Sequence, residues 1–114
     1  MLDIIVPVYN EKENIKNLLD QIDKHIKVKK RITIIYDYND DNTLPAVKRI
    51  HQNYKFPICL KKNIYGHGAL NAIKTGLHTF DSNVALVLMA DLSDSLEVVD
   101  QMYNKIVKIV SKKN

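Results

Sequence analysis

The sequence predicts an α/β protein in which a parallel β-sheet carries helices on both faces. Short apolar runs rich in β-branched residues alternate along the chain with segments whose apolar residues recur at helical spacing. The connections are short, which favours parallel pairing with right-handed crossovers. The run that starts at Val84 continues to Met89 without alternation, which is typical of a strand buried on both faces. A length of 114 residues allows one domain.

The first strand is predicted over residues 2–8, directly after Met1. Asn10 followed by Glu13 three residues later is a helix-start signature. The apolar residues behind it have helical spacing: Ile15, Leu18, Leu19, Ile22 and Ile26. These features predict the first β-α unit.

The second strand is predicted over residues 31–36, and a polar loop follows it over residues 37–42. Thr43 is expected to cap the second helix, which tolerates Pro45 in its first turn. Its inner stripe is predicted to be Val47, Ile50 and Tyr54.

The third strand is predicted over residues 56–60, with a turn over 63–68 and a helix over 69–80. The fourth strand begins at Val84, and Asp94 with Glu97 is expected to cap a last helix. The predicted inner stripe of that helix is Val99, Met102, Tyr103, Ile106 and Val110.

Composition narrows the possible functions. The net charge is +4, and its clearest basic cluster (Lys27, Lys29, Lys30 and Arg31) falls between a helix and a strand, which favours a solvated connection over a nucleic-acid or membrane patch. The single cysteine, Cys59, excludes an internal disulfide and a multi-cysteine metal site, and its apolar surroundings predict a buried, inert thiol. No apolar stretch of about 18 residues and no signal peptide is present, so we expect a cytoplasmic protein.

Polar side chains follow three of the predicted strands where each strand ends. Tyr9 and Glu11 follow the first strand, Asp37 the second and Asp91 the fourth. Ligands of open α/β sheets bind outside the carboxyl ends of the strands, so we expect these groups to meet at one rim. Asp40 and Asp94 are instead expected to cap helices, because acids are favoured at helix N-termini.

The sequence lacks the two common phosphate-binding motifs of nucleotide-binding proteins. The turn after the first strand holds Glu11 and Glu13 but no glycine, so it lacks a dinucleotide fingerprint, and no Walker-type motif occurs. His67 between two glycines is predicted to be an exposed loop histidine.

A carboxylate about 4 Å from a phosphate costs roughly 4 kcal/mol at an effective dielectric of 20. A diphosphate at this rim therefore needs a divalent cation, and Asp91 alone would complete such a site only with oxygens from the nucleotide.

At this point four ordered segments resemble the family-two nucleotide-sugar glycosyltransferases, the group that contains polyprenyl-phosphate mannose and glucose synthases. Residues 6–11 (VPVYNE) resemble its opening motif, and residues 37–43 resemble its Asp-Asp-Gly-Ser-x-Asp-x-Thr loop. Residues 68–76 (GALNAIKTG) resemble its Gly-x-Gly-x-Ala-x-Arg-Thr-Gly helix, and residues 89–94 (MADLSD) resemble Asp-Ala-Asp-Leu-Ser-His. The order of these segments over nearly the whole chain makes the resemblance specific.

The resemblance implies an inverting hexosyltransferase that takes a sugar from a UDP or GDP donor, with Mg²⁺ or Mn²⁺ as cofactor and a polyprenyl phosphate as one candidate acceptor. It implies that Asp37 pairs with the base, that Asp41 supports that loop or the base, and that Asp91 is the metal ligand. The substrate-binding residues implied in this way are Pro7, Tyr9, Glu11, Asp37, Asp41, Lys74 and Asp91. Lys74 matches the basic residue that faces the diphosphate, and no catalytic residue is assigned.

The chain departs from the family pattern at four positions. Met89 replaces the first acid of Asp-x-Asp, and Tyr38 replaces the second acid of the base-binding loop, which is also one residue short. Leu70 replaces the second glycine of the helix motif, and Asp94 stands where histidine is usual. These changes bear on the identity and affinity of the donor more than on the fold.

The resemblance also implies a Rossmann-like parallel sheet of strand order 3-2-1-4, the N-terminal half of a glycosyltransferase A-type fold. The family's domain is about twice as long, and its second half supplies the acceptor site and the general base. We therefore expect residues 1–114 to be a truncated nucleotide-sugar-binding domain that does not complete catalysis alone, with membrane association only through missing parts. Strand four would be an apolar edge, which predicts self-association, as a homodimer, through that strand or the last helix.

Two other functions stay open at this point. The first is a non-catalytic interaction module, a truncated transferase fold that binds another subunit and no nucleotide. The second is a phospho-acceptor receiver domain, which shares the parallel α/β layering. A receiver needs a paired acidic cluster after the first strand and a lysine borne on a strand near the rim, and neither is evident in the sequence.

Overall fold

The computed structural model describes residues 1–79, 84–91, 96, 99–100 and 103–104. Its strands are β1 (Leu2–Pro7), β2 (Lys30–Tyr36), β3 (Ile58–Lys62) and β4 (Val84–Val87). Its helices are α1 (Ile15–His25), α2 (Thr43–Ile50) and α3 (Ala69–Thr79), and a single 3₁₀ turn, His51–Asn53, follows α2. Strands and helices alternate along the chain, as the apolar pattern predicts.

The four strands form one parallel sheet in the order β3-β2-β1-β4, which confirms the predicted order. In register, Val6 of β1 pairs with Ile34 of β2, and Ile34 pairs with Leu60 of β3. On the other side of β1, Ile4 pairs with Leu86 of β4. Every residue of β1 is buried, because this strand is central and has neighbours on both edges.

One face of the sheet carries the larger core. Alternate residues of each strand point to this face, because side chains along a strand alternate between faces. They pack against the buried stripes of α1 and α2, whose helical spacing places those residues on one side. The fully buried members include Ile4, Val6, Ile15, Leu19, Ile22, Ile32 and Ile34. Val99 and Tyr103, two residues of the predicted last helix, also pack against this core.

The opposite face has a smaller core beneath α3. Its buried apolar residues are Ile5, Ile35 and Ala72. Gly76 brings α3 against β1: a Cβ at this position would lie 2.5 Å from Cγ2 of Ile5, closer than a side chain allows. Nearer the amino ends of the strands this face is polar, since the buried carboxylate of Asp3 accepts hydrogen bonds from the guanidinium of its neighbour Arg31 at 2.7 and 2.8 Å.

The structure corrects both helix-start predictions. Asn10 does not cap α1: it has a φ of 50°, and its side chain accepts a hydrogen bond from the backbone N–H of Asn42, so α1 begins only at Ile15. Thr43 is not a cap either, because it is the first residue of α2 and its hydroxyl accepts a hydrogen bond from the N–H of Glu11. In both cases the polar side chain that the local pattern assigned to its own helix binds a neighbouring loop instead.

The third strand begins at Ile58, two residues later than predicted. Pro57 has no N–H to donate to a ladder, although its carbonyl accepts a hydrogen bond from Ile32. The prediction of a buried thiol is wrong, since Cys59 is exposed. Cys59 alternates with Ile58 and Leu60, which pack on the larger core, so it points to the other face at the edge of the sheet.

Much of the predicted last helix lies outside the described residues, including Asp94, Glu97, Met102, Ile106 and Val110. Phe80, the last residue of the predicted third helix, also lies outside them. In the part of the chain that the structure describes, no helix has both the length and the apolar character needed to cross a bilayer.

Candidate functional site

The loops that follow β1 and β2 are bound to each other by hydrogen bonds around the buried side chains of Asp41 and Thr43. The carboxylate of Asp41 accepts hydrogen bonds from the N–H of Asn10 at 3.1 Å and of Thr43 at 2.8 Å. Thr43 in turn accepts from the N–H of Glu11 at 2.8 Å, and the side chain of Asn10 accepts from the N–H of Asn42 at 3.0 Å. Asp41 is 2% exposed, so it fixes the relative position of the two loops from inside.

A second network joins the end of β2 to the turn before α3. Asp37 accepts a hydrogen bond from the side-chain amide of Asn63 through one carboxylate oxygen and from the N–H of Gly68 through the other, each at 2.9 Å. The oxygen of the Asn63 amide accepts from the hydroxyl of buried Thr75 at 2.8 Å. The same hydroxyl accepts from the N–H of Ile64 at 3.2 Å. Asp37 therefore holds the amino end of α3 against the sheet.

A cavity of about 310 Å³ lies between these loops and the start of α3. Its lining is mainly apolar with two carboxylates, those of Glu11 and Asp37, and no lysine or arginine is among its described lining residues. The lining consists of Pro7, Val8, Tyr9, Glu11, Asp37, Tyr38, Gly68, Ala69, Ala72 and Met89. This volume is at the lower end for small-molecule sites. The cavity fits a flat, uncharged group that carries hydroxyls better than it fits a bare anion.

Aromatic side chains border the mouth of the cavity. Tyr9 is 63% exposed and Tyr38 is 43% exposed, and their ring centroids are 6.1 Å apart in an edge-to-face arrangement. The Tyr38 ring also contacts the ring of His67, with centroids 4.6 Å apart. The hydroxyl of Tyr38 and Nδ1 of His67 are within hydrogen-bond distance, at 3.2 Å. As predicted, His67 is exposed and lies in a loop.

The structure brings together part of the predicted set of site residues. Pro7, Tyr9, Glu11 and Asp37 line this cavity, and Asp41 is buried in the loops behind it. These residues meet because the carboxyl ends of the parallel strands β1 and β2 open on the same edge.

The other two predicted residues are not part of the cavity wall. Lys74 is exposed, and its ammonium lies 4.9 Å from the centroid of the Tyr65 ring. Asp91 is exposed on the segment that follows β4, and Met89 lines the cavity two residues earlier.

The sequence patterns did not identify the residues that position the site through hydrogen bonds without lining the cavity. Asn63 and Thr75 connect Asp37 to α3, and neither belongs to a pattern that a single sequence reveals. Asn42 and Thr43 were assigned to a loop and a helix cap, although they bind the loop after β1. The one available signal was the density of Asn, Asp and Thr side chains in these loops, since such residues often bind nearby backbone groups.

The described residues do not form a closed metal site. No cluster of three or more His, Cys, Asp or Glu side chains with the geometry to hold an ion occurs among them. Exposed Asp91 would offer a single carboxylate, and a divalent cation prefers about six oxygen ligands. The donor set therefore fits a cation only where a ligand adds oxygens of its own.

A family model provides the deciding comparison. The model described as glycosyl transferase family 2 matches residues 3–110, almost the whole chain. The chain belongs to this family. The curated dolichol-phosphate mannosyltransferase of Pyrococcus furiosus is 26% identical over 106 residues, which cover 92% of this chain and 30% of that protein.

Two solved structures share its fold. Staphylococcus aureus TarS, solved in complex with UDP, superposes with a TM-score of 0.76 at 20% identity and covers 94% of this chain. The mannosyltransferase PcManGT of Pyrobaculum calidifontis, solved with GDP-Man and Mn²⁺, superposes with a TM-score of 0.74 at 22% identity over 87% of this chain. Together with the strand order, this likeness confirms the predicted glycosyltransferase A-type fold. The family 2 chain spans about a third of the length of the chains it matches here: 30% of the P. furiosus relative, 32% of the solved TarS fragment of residues 1–349 and 30% of PcManGT.

Proposed function

We propose that this chain is the donor-binding domain of an inverting family 2 glycosyltransferase and that it holds the nucleoside of a UDP- or GDP-sugar. The observation that carries the proposal is the cavity of about 310 Å³ at the carboxyl ends of β1 and β2. Four of the residues that the family resemblance assigns to the substrate line it: Pro7, Tyr9, Glu11 and Asp37. The complexes of TarS with UDP and of PcManGT with GDP-Man support the same class of ligand.

Three of these residues contact the nucleoside in the proposal, and Asp41 supports them. Pro7 and the apolar floor exclude water from one face of the nucleoside, and Tyr9 covers the mouth. The carboxylate of Glu11 accepts hydrogen bonds from the ribose hydroxyls. Glu11 is already oriented, because the side chain of Asn14 donates a hydrogen bond to it at 2.8 Å. Asp41 does not touch the donor and holds both loops at the correct spacing.

The diphosphate lies outside the cavity in this proposal, on the side of Met89 and Asp91. Two carboxylates in the cavity wall repel phosphate, and no basic side chain of the described lining compensates them. Asp91 and the diphosphate oxygens would share Mg²⁺ or Mn²⁺, as the Mn²⁺ in the PcManGT complex supports. When bound, the cation neutralises the diphosphate and stabilises it as a leaving group. Lys74 would leave the Tyr65 ring to reach the diphosphate.

The proposal is tested by calorimetric titration of the chain with UDP and with GDP, each with Mn²⁺. We expect binding of at least one nucleotide and loss of that binding when EDTA is added. Asp91→Asn should weaken the affinity by roughly tenfold to a hundredfold, the effect of one lost charged contact. Asp23→Asn is the matched control, because Asp23 is exposed on α1 and lines a different groove. Absence of heat with every nucleotide would refute the proposal.

The complete enzyme would transfer the sugar to an acceptor. The P. furiosus relative is named for dolichol phosphate, and this name supports a polyprenyl phosphate as the proposed acceptor. Because the chain spans 30% of that protein, we propose that residues 1–114 bind the donor without transferring its sugar. Incubation with UDP-glucose or GDP-mannose and a short polyprenyl phosphate should yield no glycolipid. Transfer at a measurable rate would show that a general base is present in this chain.

A second candidate function is self-association through β4. In the described sheet this strand pairs with β1 alone, and its residues Val84–Val87 are only half-buried. Exposed strand edges offer unpaired N–H and C=O groups to another chain. Sedimentation equilibrium should then show dimers that dissociate on dilution, whereas a monomer at high concentration would exclude this function.

A further inference from the structure

We propose that Tyr38, held in place by His67, recognises the base of the nucleotide by stacking, and that Asp37 does not carry this recognition. The inference rests on the proposed function, because it names the part of the donor that one residue of the cavity contacts. It concerns a position where the chain departs from its family, since Tyr38 stands where the resemblance expects an acid.

Asp37 already has structural partners. Each of its carboxylate oxygens accepts a hydrogen bond at 2.9 Å, one from Asn63 and one from Gly68. These bonds join the end of β2 to the turn before α3, where Gly68 has a φ of 103°. A base that displaced either of these donors would loosen the turn that forms its own cavity. Asp37 therefore acts as a positioning residue.

Tyr38 has the properties of a stacking platform. It lines the cavity, and 43% of its surface is exposed although it is a large aromatic residue. Its neighbour Tyr9 presents its ring at an interplanar angle of 65°, so the two rings form a corner rather than a stacked pair. Exposed apolar groups at the mouth of a concave site indicate a surface that a ligand covers. A flat heterocycle fits this corner, because aromatic rings favour both edge and face contacts.

His67 fixes the orientation of the Tyr38 ring. Its Nδ1 is 3.2 Å from the Tyr38 hydroxyl, and the two rings are 4.6 Å apart at their centroids. The backbone around His67 is also held, since its carbonyl accepts a hydrogen bond from the side chain of Asn71 at 3.0 Å and the next residue, Gly68, donates to Asp37. Tyr38 thus loses little freedom when a base binds, which favours affinity.

Recognition by stacking has a consequence for selectivity. Every base offers a π-face, so stacking discriminates weakly between bases, whereas a carboxylate would select a particular pattern of N–H donors. We therefore expect the affinities of this chain for UDP and GDP to differ by less than about tenfold.

The test measures the dissociation constants of UDP and GDP, each with Mn²⁺, for the wild-type chain and its variants. Tyr38→Ala should weaken both nucleotides by roughly 5- to 150-fold, the range for one stacked base. Tyr38→Phe and His67→Ala each remove the hydrogen bond and should weaken binding by about 2- to 10-fold. The double variant Tyr38→Phe/His67→Ala should be no weaker than its weaker parent, because both changes remove one interaction. His67→Asn should restore affinity, since an amide can occupy the position of Nδ1.

His51→Ala is the matched control for His67→Ala, because His51 is an exposed histidine in the 3₁₀ turn after α2. If the wild-type chain binds neither nucleotide, the proposed function itself fails, and this inference with it. If the wild-type chain binds and Tyr38→Ala binds equally well, or if one base is preferred by more than about tenfold, only this inference is overturned. Additive effects in the double variant, or no rescue by His67→Asn, would overturn the role of His67.

Discussion

The two faces of the sheet are built differently, although the same strands supply both. One face is covered by α1 and α2 and presents large aliphatic residues such as Ile4, Val6 and Ile34, all buried without exposure. The other is covered by α3 and combines a small core around Ile5 with an ion pair between buried Asp3 and half-buried Arg31. The first face supplies most of the apolar burial, whereas the second brings α3 close enough to the sheet to form the cavity.

This difference indicates that stability and function depend on different faces of the same sheet. The amino end of α3 forms part of the cavity wall through Gly68, Ala69 and Ala72. Small residues here keep the helix close to the strands and leave space above them. Polar contacts then hold this helix: Asp37 accepts a hydrogen bond from the N–H of Gly68, and the hydroxyl of Thr75 donates one to Asn63. On the other face, aliphatic packing holds the helices. The face with the smaller core is therefore the one that carries the candidate site.

The largest expected effect is on the face of the sheet that α1 and α2 cover. Leu19 of α1 is fully buried, so Leu19→Ala should lower the free energy of unfolding by about 2–5 kcal/mol through lost apolar contact and the cavity left behind. Leu77→Ala on α3 is the matched control. Leu77 is 45% exposed, and its truncation should cost less than about 1 kcal/mol. Urea unfolding of both variants measures the difference, and equal losses would contradict the contrast between the faces.

A smaller effect is expected at the close contact of the second face. Alanine normally stabilises a helix by about 1 kcal/mol relative to glycine. At Gly76 the sign should reverse, because the added Cβ would lie 2.5 Å from buried Ile5, and the overpacking should cost about 1–3 kcal/mol.

The double variant Gly76→Ala/Ile5→Ala tests this cause. Removing the Ile5 side chain makes room for the new methyl group, so the combined loss should be smaller than the sum of the two single losses. A stabilised Gly76→Ala protein in urea unfolding would show that α3 does not approach β1 as closely as described.

The smallest effect concerns a polar contact at the border of the larger core. Hydrogen bonds from Lys16 at 2.7 Å and from the hydroxyl of Tyr54 at 2.6 Å lower the pKa of Asp20 in the folded chain. Burial, followed by the hydrogen bond to Asp20, raises the pKa of Tyr54, so its phenol stays a proton donor. A carboxyl group whose folded pKa is lowered stabilises the protein above its unfolded pKa, and this contribution disappears as the pH falls through the folded value.

Asp20→Asn should therefore lower the free energy of unfolding slightly at pH 7, by less than about 1 kcal/mol, because the pair is partly exposed. The difference from wild type should vanish at a pH below the lowered pKa. Asp23→Asn, on the same helix, is the control, since its carboxylate takes part in neither hydrogen bond. A difference between Asp20→Asn and wild type that stays constant with pH would contradict the assignment to this carboxyl group.

The order of elements and the nature of the first core follow from local patterns. The helical spacing from Ile15 to Ile22 predicts the buried side of α1, because only one side of a helix can face the sheet, and the β-branched run from Ile32 to Ile35 predicts a strand. The same patterns place Asp37 and Glu11 at strand ends, and hence at one edge of a parallel sheet. The family resemblance then supplies the strand order, which periodicity alone leaves open.

Contacts between residues distant in the chain required the tertiary structure. Nothing local indicates that Asp41 would bind Asn10, or that Asp37 would bind Asn63 and Gly68. The exposure of Cys59 also depended on its place at the edge of the sheet. Apolar periodicity is encoded locally because each element must bury one side. The hydrogen-bond partners of a loop side chain depend on which strand ends the fold brings together. In this protein those partners shape the candidate site.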